Sequence, residues 1–234
     1  MKIAREGLPF IGGFLGPGTA AMAAASRLHG AVAMVSWTVA GVLLGLGAFS
    51  LWFFRDPDRD VPREKGLAVS PADGTVVAVT EDPEGPSVAI FLSVFNVHVN
   101  RSPIAGRVES VTYREGRYLA AFDERAGEMN ERSEIVVSGE DGSVRVRQIA
   151  GLLARRIICK VKPGDRLEAG ARFGLIRFGS RTDLRLPPGS SIAVKVGDKV
   201  KGGSSVIGRM AAVRPAAAPA GAGSAVLQER GGAV

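Results

Sequence analysis

The chain has little of what most catalytic sites are built from. Among 234 residues there is one cysteine, Cys159, and there are two histidines, His29 and His98. A single cysteine excludes an internal disulfide framework, and so few histidines disfavour a His- or Cys-based zinc site. Aromatic residues make up only 6% of the chain, too few for a platform that stacks nucleic-acid bases. Apolar side chains and positive charge are abundant instead. The 46% hydrophobic content excludes disorder throughout, and 30 Lys+Arg stand against 23 Asp+Glu, a net +7. A basic chain with a positive mean hydropathy of +0.15 points toward an anionic membrane surface. The length suits one domain, or one domain with an appendage.

The apolar content is concentrated. Residues 31–54, AVAMVSWTVAGVLLGLGAFSLWFF, run for 24 residues without a charge. About 20 apolar residues cross a bilayer core as a helix. Trp37 at one end and Trp52, Phe53 and Phe54 at the other lie where interfacial anchors would, and Arg55 closes the run. A buried core helix is the competing reading; a cleaved signal peptide would be shorter and start earlier. Residues 7–26 are also uncharged but rich in Gly, Pro and Ala, compatible with a second span, a re-entrant segment or a surface-lying stretch. Lys2 and Arg5 before the pair and Arg55 and Arg59 after it favour a hairpin with both ends cytoplasmic, although Arg27 between the segments counts against this.

From Arg55 onward the texture changes to short runs cut by Gly, Pro and Asp, with 25 Lys+Arg against 21 Asp+Glu up to Arg209. Residues 75–79, 88–95, 107–112, 134–137, 144–149, 172–178, 192–196 and 206–209 read as strands, a spacing that suggests a barrel or sandwich, with a helix at 118–125. The string VKPGD at 161–165, followed by Leu167 and Gly170, is echoed by VKVGD at 194–198, followed by Val200 and Gly203. The pair resembles the half-motifs of lipoyl and biotinyl carrier folds. The expected fold is mainly β: a barrel-sandwich hybrid of this lipoyl/biotinyl-like hammerhead type behind an N-terminal hydrophobic membrane segment. Residues 1–54 form the membrane segment, 55–210 the main domain, and 211–234, rich in Ala, Gly and Pro, a disordered tail.

Few residues are left to carry chemistry. His29 lies against the apolar stretch and reads as an interface residue. His98, in FNVHVNRSP at 95–103, is the only other side chain able to act as a base near neutral pH without a large pKa shift, although a lone histidine at a strand end is as readily structural. Asp73, in SPADG at 70–74, fits ordinary turn chemistry. Cys159 reads as a small core residue. Gly-Ser occurs five times in the chain, so the dipeptide alone carries no information. Gly179-Ser180 differs in following the apolar run 173–176.

Taken together, FRDPDR at 54–59, SPADG, FNVHVNRSP, NER at 130–132, QIAG at 148–151 with ARR at 154–156, and RFGSR at 177–181 resemble phosphatidylserine decarboxylase in its short bacterial branch. The matches stand in the family's order over residues 54–209, behind a membrane segment as in the family. The resemblance implies a proenzyme that cuts itself between Gly179 and Ser180 into a β chain, 1–179, and an α chain, 180–234. Ser180 Oγ would attack the Gly179 carbonyl to give an ester. Elimination and hydrolysis would then leave residue 180 as a covalent pyruvoyl group, with no metal and no pyridoxal phosphate. Its ketone can condense with the serine amine of the lipid and take up the electrons left by carbon dioxide, yielding phosphatidylethanolamine. His98 is then the candidate base and Asp73 the candidate to orient its imidazole. The long branch carries a second histidine where Arg101 stands here, and Leu and Thr where Phe178 and Arg181 flank the Gly-Ser pair. Basic residues near the membrane should hold the lipid phosphate; Arg55, Arg101, Arg177 and Arg181 lie nearest the motifs, with Arg101 and Arg181 taken as substrate-binding candidates.

The implied partners are phosphatidylserine and anionic membrane rather than nucleic acid, and the implied location is the cytoplasmic face of a bacterial cell membrane. The sequence does not fix whether the two chains assemble further. A membrane-tethered lipoyl/biotinyl-like carrier or adaptor without catalysis is the alternative, but both turns read Gly-Asp, with no lysine tip. A soluble pyruvoyl decarboxylase of a free amino acid fits badly with the apolar N-terminus.

Overall fold

The structure, a computed structural model, describes residues 2–121, 123, 125–152, 156–177 and 179–211. The expected tail and the flanking Phe178 lie outside the described residues, as do Ala154 and Arg155. A short strand β1 (Lys2–Ile3) and one 3-10 turn lead into helices α1 (Leu8–Ala25) and α2 (Gly30–Phe53), which fold back on each other. At 1.5 Å per residue, α2 is about 36 Å long, enough for a bilayer core of about 30 Å. Both helices are long and apolar enough to cross a membrane. Only 11% of each apolar window is buried, so the core-helix reading of residues 31–54 does not hold. Where the helices meet, small residues let them approach: a Cβ on Gly47 would stand 2.2 Å from Leu15, and one on Gly18 3.1 Å from Leu44. Thr19, Thr38 and Ser50 return their hydroxyls to backbone carbonyls of the preceding turn.

The hairpin is closed where it meets the rest of the molecule. Strand β2 (Arg55–Asp56) pairs antiparallel with β1, and Ala4 N donates to Phe54 O. Phe53, Phe54 and Ala4 are buried against Val97, Val99 and Leu175, so the foot of the hairpin shares a hydrophobic cluster with the β domain.

That domain is all but free of helix. Strands β3 (Leu67–Val69), β4 (Gly74–Asp82), β5 (Gly85–Leu92), β6 (Val99–Arg101) and β7 (Gly106–Arg114) precede a single turn of helix, α3 (Ala126–Met129). They are followed by β8 (Arg132–Gly139), β9 (Gly142–Ile149), β10 (Ile157–Cys159), β11 (Arg166–Leu167), β12 (Arg172–Ile176), β13 (Ser180–Arg185), β14 (Ser191–Ile192), β15 (Lys199–Val200) and β16 (Val206–Arg209). The main sheet runs β11-β7-β8-β9-β13-β5-β4-β15, antiparallel throughout and curled into a half-barrel. Two three-stranded sheets, β10-β12-β6 and β14-β16-β3, complete it around a core that includes Ile90, Leu92, Val137, Val146, Phe173 and Ile207. The helix expected at 118–125 is found further on, at Ala126–Met129. Strand β13 was absent from the expected set because Arg181, Asp183 and Arg185 alternate with only three inward residues.

The internal echo is a structural duplication. Gly164 and Gly197 take φ of +97° and +95°. Each turn is pinned the same way: Lys162 N donates to Asp165 Oδ2 and Lys195 N to Asp198 Oδ2, both at 2.9 Å. Gly164 N then donates to Val108 O and Gly197 N to Val76 O, which attaches one turn to β7 and the other to β4. A second repeated pair, SPADG at 70–74 and SPIAG at 102–106, also emerges: Ser70 Oγ donates to Ala72 O and Ser102 Oγ to Ile104 O, both at 2.7 Å. The two turns bond across the repeat, Val69 N to Pro103 O and Arg101 N to Pro71 O.

The segment leaving α2 is clamped onto both repeats. Asp56 accepts from Arg101 at 2.6 Å and also pairs with Arg172, while Arg59 donates to Asp73 at 2.8 Å. The Arg101 and Asp56 side chains are each only 7% exposed. Removing one partner of such a pair strands the other charge in the interior, at a typical cost of about 3–5 kcal/mol. Asp56→Ala should therefore lower the thermal unfolding midpoint of the detergent-solubilised protein far more than Lys2→Ala, which breaks an exposed pair with Asp58; equal midpoints for the two variants would contradict the clamp.

Candidate active site

The chain turns between β12 and β13 at Gly179, whose φ of +72° is the left-handed conformation that side chains disfavour. A Cβ at Gly179 would meet nothing within 4 Å, so glycine is required there by backbone geometry rather than by space. Ser180 opens β13, and the pleat sends Ser180, Thr182 and Leu184 inward and Arg181, Asp183 and Arg185 outward. Ser180 is fully buried and its Oγ has no hydrogen-bond partner. The Gly179 carbonyl rests on Gly151: a Cβ there would lie 2.4 Å from Gly179 O.

His98 comes to the other side of Gly179, its amide, from the approach to β6. Asn96 shapes that approach by accepting from the backbone N and Oγ of Ser93 at 2.9 and 2.7 Å. His98 Nδ1 lies 2.9 Å from Asn96 O. A carbonyl only accepts, so Nδ1 carries the hydrogen and Nε2 is left with its lone pair. Nε2 faces the Gly179 amide, which donates to it at 3.3 Å. The Phe53 ring covers the imidazole at a centroid separation of 4.2 Å. Burial pushes the His98 pKa down to about 4; the Asn96 carbonyl opposes this and the Arg55 charge adds to it. At neutral pH the imidazole is the free base.

A buried polar row continues from this pair. Asn100 donates to Thr182 Oγ1 at 3.2 Å and accepts from Gln148 Nε2 at 2.8 Å. Gln148 Oε1, like Ser180 Oγ, has no partner. Buried polar atoms are almost always satisfied, so two unpartnered atoms along one row single this row out as a candidate site.

The structure thus brings Gly179, Ser180 and His98 together and leaves the other expected residues elsewhere. Asp73 does not orient His98: its carboxylate accepts from Arg59 and, at 2.8 Å, from Gly202 N, and Asn96 supplies the contact to Nδ1. Arg101 is not presented to a ligand, being occupied by Asp56, Pro57 O and Gly170 O. Arg181 points to the outer face of the sheet and is held by Asp183 at 2.6 and 3.0 Å. Sequence reasoning missed Gly151, Asn96 and Phe53. Each lay inside or beside a quoted string, but none has a reactive side chain to draw notice.

A family model described as phosphatidylserine decarboxylase matches residues 46–208, a span that holds every residue of this site. The chain belongs to the phosphatidylserine decarboxylase family. It is 48% identical over 216 residues to a protein of Symbiobacterium thermophilum named phosphatidylserine decarboxylase proenzyme, covering 89% of this chain and 95% of that one. Proteins of the same name from Magnetococcus marinus and Desulfotalea psychrophila are 41% and 40% identical, over 89% and 90% of this chain and 95% and 97% of theirs. The match to the decarboxylase family begins inside α2, so the hairpin's foot, with Phe53 against His98, falls within the shared region. Phe53→Ala should let water reach the imidazole and raise its pKa from about 4 toward the ordinary 6.5, read from the pH titration of the His98 ring signals by NMR. A pKa unmoved by the substitution would contradict the assignment of the shift to burial under Phe53.

Proposed function

We propose that this decarboxylase is a self-cleaving proenzyme that converts phosphatidylserine to phosphatidylethanolamine in phospholipid biosynthesis. The observation that carries the reading is an unprotonated imidazole nitrogen on the amide of the glycine that precedes a buried serine whose hydroxyl has no partner. For cleavage, Nε2 gives up the Gly179 amide and takes the Ser180 Oγ proton while Oγ attacks the Gly179 carbonyl. The peptide C–N bond breaks as the ester C–O bond forms, and the proton is delivered to the departing nitrogen. The left-handed Gly179 leaves its carbonyl without a flanking side chain, and the absence of a Cβ on Gly151 leaves room for that carbonyl. Loss of the Ser180 Cα proton then expels the Gly179 carboxylate, and hydrolysis of the resulting dehydroalanine releases ammonia.

The residues fit a pyruvoyl group at position 180, since Gly179, Ser180 and His98 are the parts needed to make one. Such a group supplies a ketone that accepts the electron pair left when carbon dioxide departs. Around it, Phe53 and the Val97–Val99 cluster exclude water and His98 holds or returns a proton at the reacting carbon. The lipid enters from the hairpin side. In this reading residues 1–54 anchor the enzyme and 55–210 form the decarboxylase domain, and the positive charge of Lys2, Arg5, Arg55 and Arg59 at the hairpin's foot favours the cytoplasmic face of the bacterial membrane.

Two outcomes test this. Ser180→Ala should remain a single full-length chain on a denaturing gel and release no carbon dioxide from phosphatidylserine, whereas wild type separates into two chains; a cleaved or active Ser180→Ala would end the assignment. Cleavage of freshly translated wild type should be independent of pH around neutrality and fall only as pH drops toward about 4, where His98 gains its proton. A fall centred near the ordinary 6.5 would show that the imidazole is not kept dry and neutral in the way proposed, and cleavage unchanged down to pH well below 4 would show that it is not the base.

A further inference from the structure

We infer that Arg177, assisted by Arg156, binds the phosphodiester of the lipid substrate. The inference rests on the reading of the site given above. Four arginines lie near the functional strings, and the structure separates them by what they already hold. Arg101 and Arg181 are neutralised by Asp56 and Asp183. Arg55 donates to Trp52 O and Phe95 O and stacks on the Trp52 ring at 4.0 Å. Arg177 is different. Among the described residues it has no ion pair, and its Nε is a buried donor with no acceptor.

Its surroundings increase the mismatch. The Arg177 amide donates to Arg156 O at 3.2 Å, which brings a second basic residue beside it. Burial and the Arg156 charge both lower the Arg177 pKa, with only Glu6 opposing them. Glu6 is itself taken by Lys160. Arg156 is exposed and unpaired among the described residues. The two guanidinium groups therefore form a positive spot that Glu6, shared with Lys160, only partly offsets, a costly arrangement for a partly buried group unless an anion is bound for part of the working cycle.

The position selects which anion. The Arg177 guanidinium lies 5.1 Å from the ring of Phe10 in α1, at the level where the apolar hairpin meets the β domain. That is the depth of lipid headgroups if the hairpin spans. Arg177 is also three residues from Ser180, and three residues of chain reach at most about 10 Å even when extended. In phosphatidylserine only a few bonds separate the amine from the phosphorus. One substrate molecule can place its amine at residue 180, its phosphodiester on Arg177 and Arg156, and its glycerol against Phe10. Guanidinium suits this task because its donors match phosphate oxygens in pairs.

The test uses the full-length protein in mixed micelles of uncharged detergent, so that surface charge is constant. Chain separation is scored on a gel before KM and kcat for phosphatidylserine are measured. Arg177→Gln should cleave and raise KM by about tenfold or more, with a much smaller change in kcat, and Arg177→Lys should recover part of the loss. Glycerophosphoserine, which keeps the phosphodiester but has no acyl chains, should compete with lipid for wild type and about tenfold less well for Arg177→Gln, separating headgroup recognition from adhesion to a membrane. A cleaved Arg177→Gln enzyme with wild-type KM overturns the inference. If Arg177→Gln does not cleave, Arg156→Gln decides: a severalfold rise in KM supports the subsite and an unaltered KM overturns it. A wild type that neither cleaves nor decarboxylates overturns the functional reading itself, and the subsite with it.

Discussion

The arrangement depends on an imidazole kept dry and neutral. His98 has its Nδ1 proton fixed by the Asn96 carbonyl, its Nε2 lone pair turned to the Gly179 amide and one face against Phe53. Burial then holds its pKa near 4. In water, a histidine at neutral pH is divided between acid and base and exchanges tautomers freely. Here one tautomer and one protonation state are selected, and the base nitrogen stands at the Gly179 amide, one peptide before the Gly179-Ser180 bond. The same burial leaves Ser180 Oγ without any partner to lower its reactivity.

Phe53 is the last residue of a helix whose apolar surface is otherwise largely exposed apart from its seam with α1, so the state of His98 is tied to how that helix is attached. The attachment explains the residues that break the internal duplication. In the paired turns, Asp73 stands where the other copy has Ala105, and Arg101 where the other copy has Val69. Both odd residues bind the segment that leaves α2: Arg101 through Asp56, and Asp73 through Arg59. A symmetric β scaffold thereby holds a single asymmetric strap, and the strap sets the helix end over the imidazole. Asp73 binds this strap and does not touch His98.

The sequence made the chemistry of Ser180 and His98 legible because so few alternatives exist: two histidines, one cysteine, and one Gly-Ser after an apolar run. Residue type alone does not reveal partners, and that is where the reading failed. Asp73 and Arg101 look like a catalytic acid and a phosphate ligand until their ion pairs are seen. Arg181 looks close to the site because it follows Ser180, yet a strand sends adjacent side chains to opposite faces. The two hydrophobic helices were visible from length and hydropathy, but the contact of Phe53 with His98 joins residues 45 positions apart and has no local signature. The duplicated VKxGD turns were found by matching letters. The SPxxG pair was missed because its variable positions, Ala72-Asp73 and Ile104-Ala105, share nothing.

The central claim, that the Gly179-Ser180 peptide is consumed to make the reactive group, is tested most directly by the intact mass of the purified protein. The account predicts two chains, one ending at Gly179 and one beginning at residue 180. The second should be lighter by one ammonia than simple hydrolysis would leave and should carry a carbonyl that reacts with hydrazine reagents. An active preparation composed of one uncut chain, or of a second chain with the mass of an unmodified N-terminal serine, would contradict it.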